Sequence, residues 1–162
     1  MEGLPSGVRK VQATLQDLGL TERVRELPES AATAASAAQA LGVDKAAIGN
    51  SLIFEADGGP LLVVISGAHR VDLLKLAALT DSRRVHRADP SFVRLHTGQP
   101  IGGVSPVGHP RPIETLVDVT LSRQRQVWVS AGHPQFVFRT RYDELLRITA
   151  GNAGEVGEAP AE

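Results

Sequence analysis

A fourteen-residue run from Thr97 to Pro110 constrains the fold of this chain more than any other segment, because it holds four glycines and three prolines. Proline lacks a backbone N–H and fixes φ, and glycine resists ordering, so neither a helix nor a central strand can pass through this run. Ile101, Val104 and Val107 distribute apolar side chains along it. The pattern therefore predicts a loop that packs against a core.

Two interpretations of this loop are open from the residues alone. Gly102 and Gly103 would let the backbone approach a ligand closely, with the Ser105 hydroxyl and the His109 imidazole at the same rim. The alternative is a structural crossover whose glycines serve steric needs alone. The loop does not match a phosphate-binding pattern, because no Lys-Ser or Lys-Thr follows its glycines.

Composition excludes several classes of protein. The 162 residues are 42% hydrophobic and 22% charged, which fits one domain with a real core. The chain contains no cysteine, which excludes disulfides and thiolate chemistry. No apolar run approaches the roughly 20 residues of a membrane span. The first eight residues are too polar for a secretory segment, so a cytoplasmic protein without membrane contact is expected.

Charge is distributed unevenly around a net value of −1. Residues 70–147 hold 12 Lys and Arg against 7 Asp and Glu, whereas both flanking segments are acidic. This asymmetry can create a local anion-binding face, or it can reflect arginines scattered over a solvated surface. The excess is too small for a groove that holds a long duplex.

Helical and strand patterns alternate along the chain. Capping residues and apolar spacing predict helices at 6–18, 34–41, 71–79, 91–96 and 142–148, with Ser6, Thr33 and Asp89 as N-caps and Gly42 after the second helix. In the third helix Leu73, Leu76, Ala77 and Leu79 are expected to face inward. Apolar or alternating runs predict strands at 23–27, 51–56, 61–66, 83–88, 113–119, 126–130 and 136–140.

Hairpins outnumber crossover units in this order of elements. The prediction is an α+β domain over residues 1–148, with a mixed, mostly antiparallel sheet and flanking helices. Residues 149–162 have little apolar content and are expected to form a disordered tail.

The residues alone indicate a pocket without naming a reaction. Ser105, His109 and Asp118 could be imagined as a hydrolytic triad, but no Gly-x-Ser-x-Gly elbow is present and Ser105 precedes a proline. The five histidines are dispersed, with no HExxH pattern, so no metal site is expected. What is left is a concave site lined by backbone amides at Gly102 and Gly103, suited to a phosphate- or carbonyl-bearing ligand.

Several motifs together resemble the YbaK family, the free-standing relatives of the editing domain inserted in bacterial prolyl-tRNA synthetases. The resemblance runs in register from about Val8 to Leu146. It is carried by Thr33-Ala34 opening an alanine-rich helix, by the segments 48–54 and 63–72, by Thr97-Gly98, by the run Gly-Gly-x-x-Pro-x-Gly-His at 102–109, and by the segments 117–118 and 127–132.

The resemblance implies an aminoacyl-tRNA deacylase that acts in trans without metal or cofactor. Its partner would be the acceptor end of an aminoacyl-tRNA, with prolyl-tRNA synthetase as a further candidate partner, and its substrate a mischarged tRNA such as tRNA(Pro) carrying a small amino acid. Carried onto this chain, the family pattern places Gly102, Gly103, Ser105 and Pro106 in the loop that orients the ester carbonyl. It places Thr33 and Ser66 in the pocket wall, and His109 and Asp118 in supporting positions.

The sequence departs from the family pattern seriously at one position, and Ser105 is a second, milder variation within the loop. Asn50 stands where the family has a functional lysine, before Ser51-Leu52 in the first hairpin strand. An amide keeps hydrogen-bonding capacity and loses the positive charge. Two hypotheses follow: a deacylase in which Asn50, Gly103 and Ser105 serve catalysis, or a relative without hydrolysis that binds an aminoacyl-adenosine, the tRNA 3′ end or a nucleotide.

Overall fold

A computed structural model describes residues 3–20 and 23–158. Within these ranges the α-helices are α1 (Ser6–Asp17), α2 (Ala34–Leu41), α3 (Leu73–Thr80), α4 (Pro90–Thr97) and α5 (Tyr142–Thr149). The strands of the described residues are β1 (Val24–Glu26), β2 (Ile48–Ala56), β3 (Gly59–Ser66), β4 (Val85–Arg87), β5 (Glu114–Asp118), β6 (Val127–His133), β7 (Phe136–Thr140) and β8 (Asn152–Gly154).

These strands form one sheet. Seven of them follow the order β1-β7-β6-β2-β3-β5-β8, and β4 pairs with the end of β2 from Phe54 to Ala56. Antiparallel pairing joins β1 to β7, β2 to β3, β2 to β4 and β6 to β7. Parallel pairing joins β2 to β6, β3 to β5 and β5 to β8. The predicted α+β class, with a mixed and mostly antiparallel sheet, is confirmed.

Local sequence signals explain where most helices begin and end. Thr33 and Ser36 form a reciprocal capping box at the start of α2, and Gly42 ends that helix at φ +70°. Asp89 caps α4, with Pro90 at the first helical position. The prediction of Ser6 as a cap is wrong, because Pro5 occupies the N-cap position of α1 and Ser6 is already helical.

The core lies on both faces of the sheet. Successive residues of β3 from Leu61 to Ile65 are all at most 2% exposed, so this strand is central and buried on both sides. On one face, Leu62 and Val64 pack with residues of α1. On the other face, Leu61, Val63 and Ile65 pack with Leu76 of α3.

The predicted inward face of α3 is wrong at two of its positions. Leu76 is fully buried, but Leu73 is 40% exposed and Leu79 is 47% exposed. The helix has only eight residues, and Leu76 is the one of them that is buried. Within the residues that the structure describes, no helix combines the length and apolar content needed to cross a membrane.

The expected disordered tail from residue 149 is wrong within the described chain. Residues Asn152 to Gly154 pair with Leu116 to Asp118 as an edge strand, and Val156 is fully buried. The strand is held by backbone hydrogen bonds, which need no apolar side chains, so composition gave no sign of it. Residues 159–162 of the expected tail lie outside the described residues.

Candidate functional site

A small pocket lies between the start of α2 and the sheet where β2 meets β6. It has a volume of about 50 Å³. Its lining includes three predicted site residues, Thr33, Asn50 and Gly102, which come from three separate segments of the chain. Alanines at 31, 32, 34 and 37 line the α2 side, and Trp128 and Ser130 of β6 line the other. Small side chains therefore leave the space, and the sequence segments predicted to converge do converge here.

Asn50 lies where β2 has no strand neighbour on one edge. Strand β6 pairs with β2 only at Ile48 and Gly49, and β4 pairs with it only from Phe54 onward. Asn50 is half-buried, and within the described chain its side-chain amide makes no hydrogen bond. This amide is therefore available, as both donor and acceptor, to a molecule that enters through the gap.

Thr33 is committed to capping α2. Its Oγ1 accepts the Ser36 N–H at 3.1 Å, and the Thr33 N–H donates to Ser36 Oγ at 2.9 Å. The side chain still lines the pocket and fixes the position of the α2 N-terminus beside it. Thr33 is thus a wall residue whose hydroxyl already has partners.

The glycine pair forms a tight turn at the rim of the pocket. The Gly103 N–H donates to the Pro100 carbonyl at 3.0 Å, and Gly102 has φ +86°, which a residue with a side chain rarely adopts. A Cβ on Gly103 would lie 2.7 Å from His133 Cα, so the loop backbone rests on the turn between β6 and β7. The expected ligand contact through the Gly103 N–H is replaced by a bond within the turn, and Gly102 faces the pocket.

Ser105 stabilises the loop from inside and does not line the pocket. It is fully buried, its N–H donates to Gln99 Oε1 at 2.7 Å, and its Oγ accepts the Val107 N–H at 3.3 Å. Gln99 is itself 1% exposed and donates through Nε2 to the Val107 carbonyl at 3.2 Å. The Gln99 amide therefore joins both arms of the loop.

Pro106 and His109 face a different cavity, of about 360 Å³, between the loop and the ends of α1 and α5. His109 Nε2 lies 2.7 Å from the Ser105 carbonyl oxygen, which identifies Nε2 as the protonated nitrogen. Burial lowers the pKa of His109, and the bond to the Ser105 carbonyl opposes that shift in part. A neutral imidazole that braces the loop is the physical role this geometry supports.

Ser66 and Asp118 lie together in a buried polar cluster behind the pocket. The Asp118 carboxylate accepts the Ser66 N–H at 3.0 Å, the Thr120 N–H at 2.9 Å and the Thr120 hydroxyl at 2.8 Å, and lies 3.2 Å from His69 Nδ1. Ser66 Oγ donates to the Ala46 carbonyl at 2.9 Å and so ties down the segment that leads into β2. Both residues support the site from outside the pocket.

Sequence reasoning missed Gln99, Ser130 and the partners of Asp118. A glutamine in a glycine-rich loop matches no motif. The available signal was that Gln99 is the only residue with a side-chain amide in the run from Thr97 to Pro110. Ser130 sits on the same face of β6 as Trp128, so strand alternation could have placed both in the wall. In the described chain, no three side chains of His, Asp or Glu gather as metal ligands do.

The aminoacyl-tRNA editing domain family matches this chain over residues 28–148, a range that holds all nine predicted site residues. The chain belongs to this family. It is 28% identical over 125 residues to a protein of Enterococcus faecalis named as the Cys-tRNA(Pro)/Cys-tRNA(Cys) deacylase EbsC, covering 76% of each chain. A solved structure assigned as a trans-editing enzyme for prolyl tRNA synthetase is 37% identical, with a TM-score of 0.91 over 97% of this chain and 100% of that one.

Other members of the family are much longer. The proline–tRNA ligase of Lactobacillus helveticus is 30% identical over 125 residues, which are 73% of this chain and 22% of the ligase. The chain spans about a quarter of the Lactobacillus acidophilus ligase. This editing-family protein therefore matches one part of those ligases, 76% of the Enterococcus faecalis protein and the whole of the solved trans-editing structure.

Proposed function

We propose that this protein is a free-standing deacylase that hydrolyses the ester between a small amino acid and the 3′ end of a tRNA, with tRNA(Pro) as the first candidate. Family membership and the likeness to stand-alone relatives support the reaction class. The observation that carries the proposal is the pocket of about 50 Å³ that brings Asn50, Gly102 and the start of α2 together.

The size of the pocket favours the smallest side chains. A water molecule needs roughly 10–15 Å³ of such space, so this pocket holds about three to five water-sized groups. That suffices for the methyl group of alanine or the short polar side chains of serine and cysteine. The alanines on α2 make the floor apolar, which favours alanine.

Asn50 is the side chain best placed to act on the ester. Its amide N–H₂ group would donate to the carbonyl oxygen, where negative charge develops as water attacks the carbonyl carbon. The tetrahedral intermediate then collapses with cleavage of the ester C–O bond, and the tRNA 3′ oxygen takes a proton as it leaves. Since no titratable side chain lines the described pocket, the neighbouring ribose hydroxyl of the substrate is the nearest group to assist the water.

The decisive experiment measures hydrolysis of alanyl-tRNA(Pro), with cysteinyl-tRNA(Pro) and seryl-tRNA in parallel, by the wild type and by Asn50→Asp and Asn50→Ala. Asn50→Asp keeps the shape and removes the donor. Both variants should lose about 100-fold in kcat/KM, the typical loss for one carbonyl-directed donor. Asn152→Ala, in the exposed edge strand β8, is the matched control and should behave as wild type.

Two outcomes would contradict the proposal. The first is a wild type that is inert on the whole panel while Asn50→Lys gains activity, which would make the protein a binder with an intact pocket. The second is wild-type activity that survives Asn50→Asp unchanged, which would place the chemistry elsewhere.

A further inference from the structure

A broad cleft of about 610 Å³ opens beside the pocket, on the side where β6 begins and β7 ends. Arg123, Arg125 and Arg141 line it, together with Gln124 and Gln126. The basic excess of residues 70–147 is thus concentrated in part at one place on the surface. Guanidinium and amide groups supply hydrogen-bond donors, the chemistry that binds phosphate oxygens.

These arginines make few close ion pairs within the described residues, although Arg123 also borders a second cavity that Asp118, Glu155 and Glu158 line. In residues 3–20 and 23–158, no carboxylate forms an ion pair with Arg123 or Arg125. Arg141 lies 3.7 Å from Asp143, but both side chains are well exposed, so water weakens this pair. Among the described residues, Asp44 is the one carboxylate that lines the cleft, and its Oδ1 already accepts the Ala46 N–H at 2.8 Å.

The cleft and the pocket share a common ridge. Ala47 lines the cleft and the next residue, Ile48, lines the pocket. In the neighbouring strand, Gln126 lines the cleft and Trp128 lines the pocket, a distance of about 7 Å along an extended chain. A nucleic-acid strand whose 3′ end lay in the pocket would place its next phosphates at this cleft.

We infer that this arginine cleft binds the phosphate backbone of the tRNA acceptor end. The inference rests on the proposed function, because the position of the ester in the pocket sets which phosphates reach the cleft. Backbone contacts of this kind are independent of base sequence and depend strongly on salt. Three phosphates neutralised here would weaken tRNA binding roughly 20- to 40-fold between 50 and 200 mM salt.

The test compares the wild type with a triple variant, Arg123→Gln/Arg125→Gln/Arg141→Gln. The control is Arg83→Gln/Arg84→Gln, which removes two exposed arginines near the opposite end of β2. Affinity for uncharged tRNA(Pro) is measured across the salt range, and hydrolysis is measured on alanyl-tRNA(Pro) and on 3′-O-alanyladenosine, which has no phosphate.

The tRNA affinity of the triple variant should depend much less on salt. The slope of log affinity against log salt concentration should become shallower by about 0.7 to 0.9 for each arginine removed. Its KM for alanyl-tRNA should rise at least tenfold, while its hydrolysis of alanyladenosine and the behaviour of the control stay at the wild-type level.

The two proposals fail in different ways. If the wild type hydrolyses neither ester, the proposed function is wrong. The salt dependence of tRNA affinity then still tests whether the cleft binds tRNA. If the wild type is active and the triple variant keeps the wild-type slope and KM, the cleft does not bind tRNA. Equal losses of tRNA affinity in the triple variant and in the Arg83/Arg84 control would also contradict tRNA binding by the cleft, because the effect would then follow from general charge.

Discussion

Replacing Gln99 by leucine should destabilise the protein through the loop that borders the pocket. The two side chains are similar in size, so the change removes hydrogen bonds with little change in packing. It leaves the buried Ser105 N–H and the Val107 carbonyl without their partners at 2.7 and 3.2 Å. Each unsatisfied buried group costs about 1–3 kcal/mol, so the expected loss for the two groups is about 2–6 kcal/mol.

Urea denaturation followed by circular dichroism measures this loss. With a slope of about 2 kcal/mol per molar urea, within the range typical of small proteins, the midpoint should fall by about 1–3 M at unchanged slope. Gln135→Leu is the matched control, because its amide makes a single long bond of 3.4 Å to the Leu27 carbonyl and should change stability by less than about 0.5 kcal/mol. A Gln99→Leu midpoint equal to that of Gln135→Leu would refute the role of Gln99 in holding the loop.

Three further predictions concern the surroundings of the pocket. Because burial holds the pKa of His109 below its ordinary value of 6.5, the unfolded chain binds more protons at this group. The stability it contributes is therefore present above pH 6.5 and lost as pH falls through the lowered pKa, so urea titrations at several pH values should show a weaker acid dependence in His109→Gln than in wild type. Gly103→Ala should cost about 1–3 kcal/mol in thermal or urea unfolding, since the added Cβ meets the backbone of His133; an unchanged midpoint would disprove that contact. Asp118→Ala should cost about 3 kcal/mol by leaving the buried Ser66 N–H unpaired, whereas Asp143→Ala, at an exposed site, should be near neutral.

Helix ends and strand alternation made most of the fold predictable from sequence. Thr33 and Gly42 mark both ends of α2 because capping and positive φ are local requirements, and both positions are confirmed. Strand β8 was not predictable, because Asn152 to Gly154 are recruited by the free edge of β5, which is distant in sequence. Leu79 shows the same limit, since spacing alone does not reveal how much of a short helix the core covers.

The candidate site was predictable in its segments and less so in the roles of its side chains. The glycine turn, the start of α2 and the start of β2 meet at one pocket, as the family pattern implies. The partners of Ser105 and Asp118 depend on tertiary contacts, with Gln99 within the loop and with Ser66 more than fifty residues away along the chain. Local patterns do not reveal such contacts, so Ser66, Ser105 and Pro106, which were expected at the substrate, do not line the pocket.

The most direct test of the central claim fills the pocket and measures single-turnover hydrolysis of alanyl-tRNA(Pro). Ala37 of α2 lines the pocket, whereas Ala35 of the same helix is exposed, so Ala37→Leu and Ala35→Leu form a matched pair. With circular dichroism confirming that both variants are folded, Ala37→Leu should lose nearly all activity and Ala35→Leu should retain it. A folded Ala37→Leu protein that hydrolyses alanyl-tRNA at the wild-type rate would contradict the assignment of this pocket as the site of deacylation.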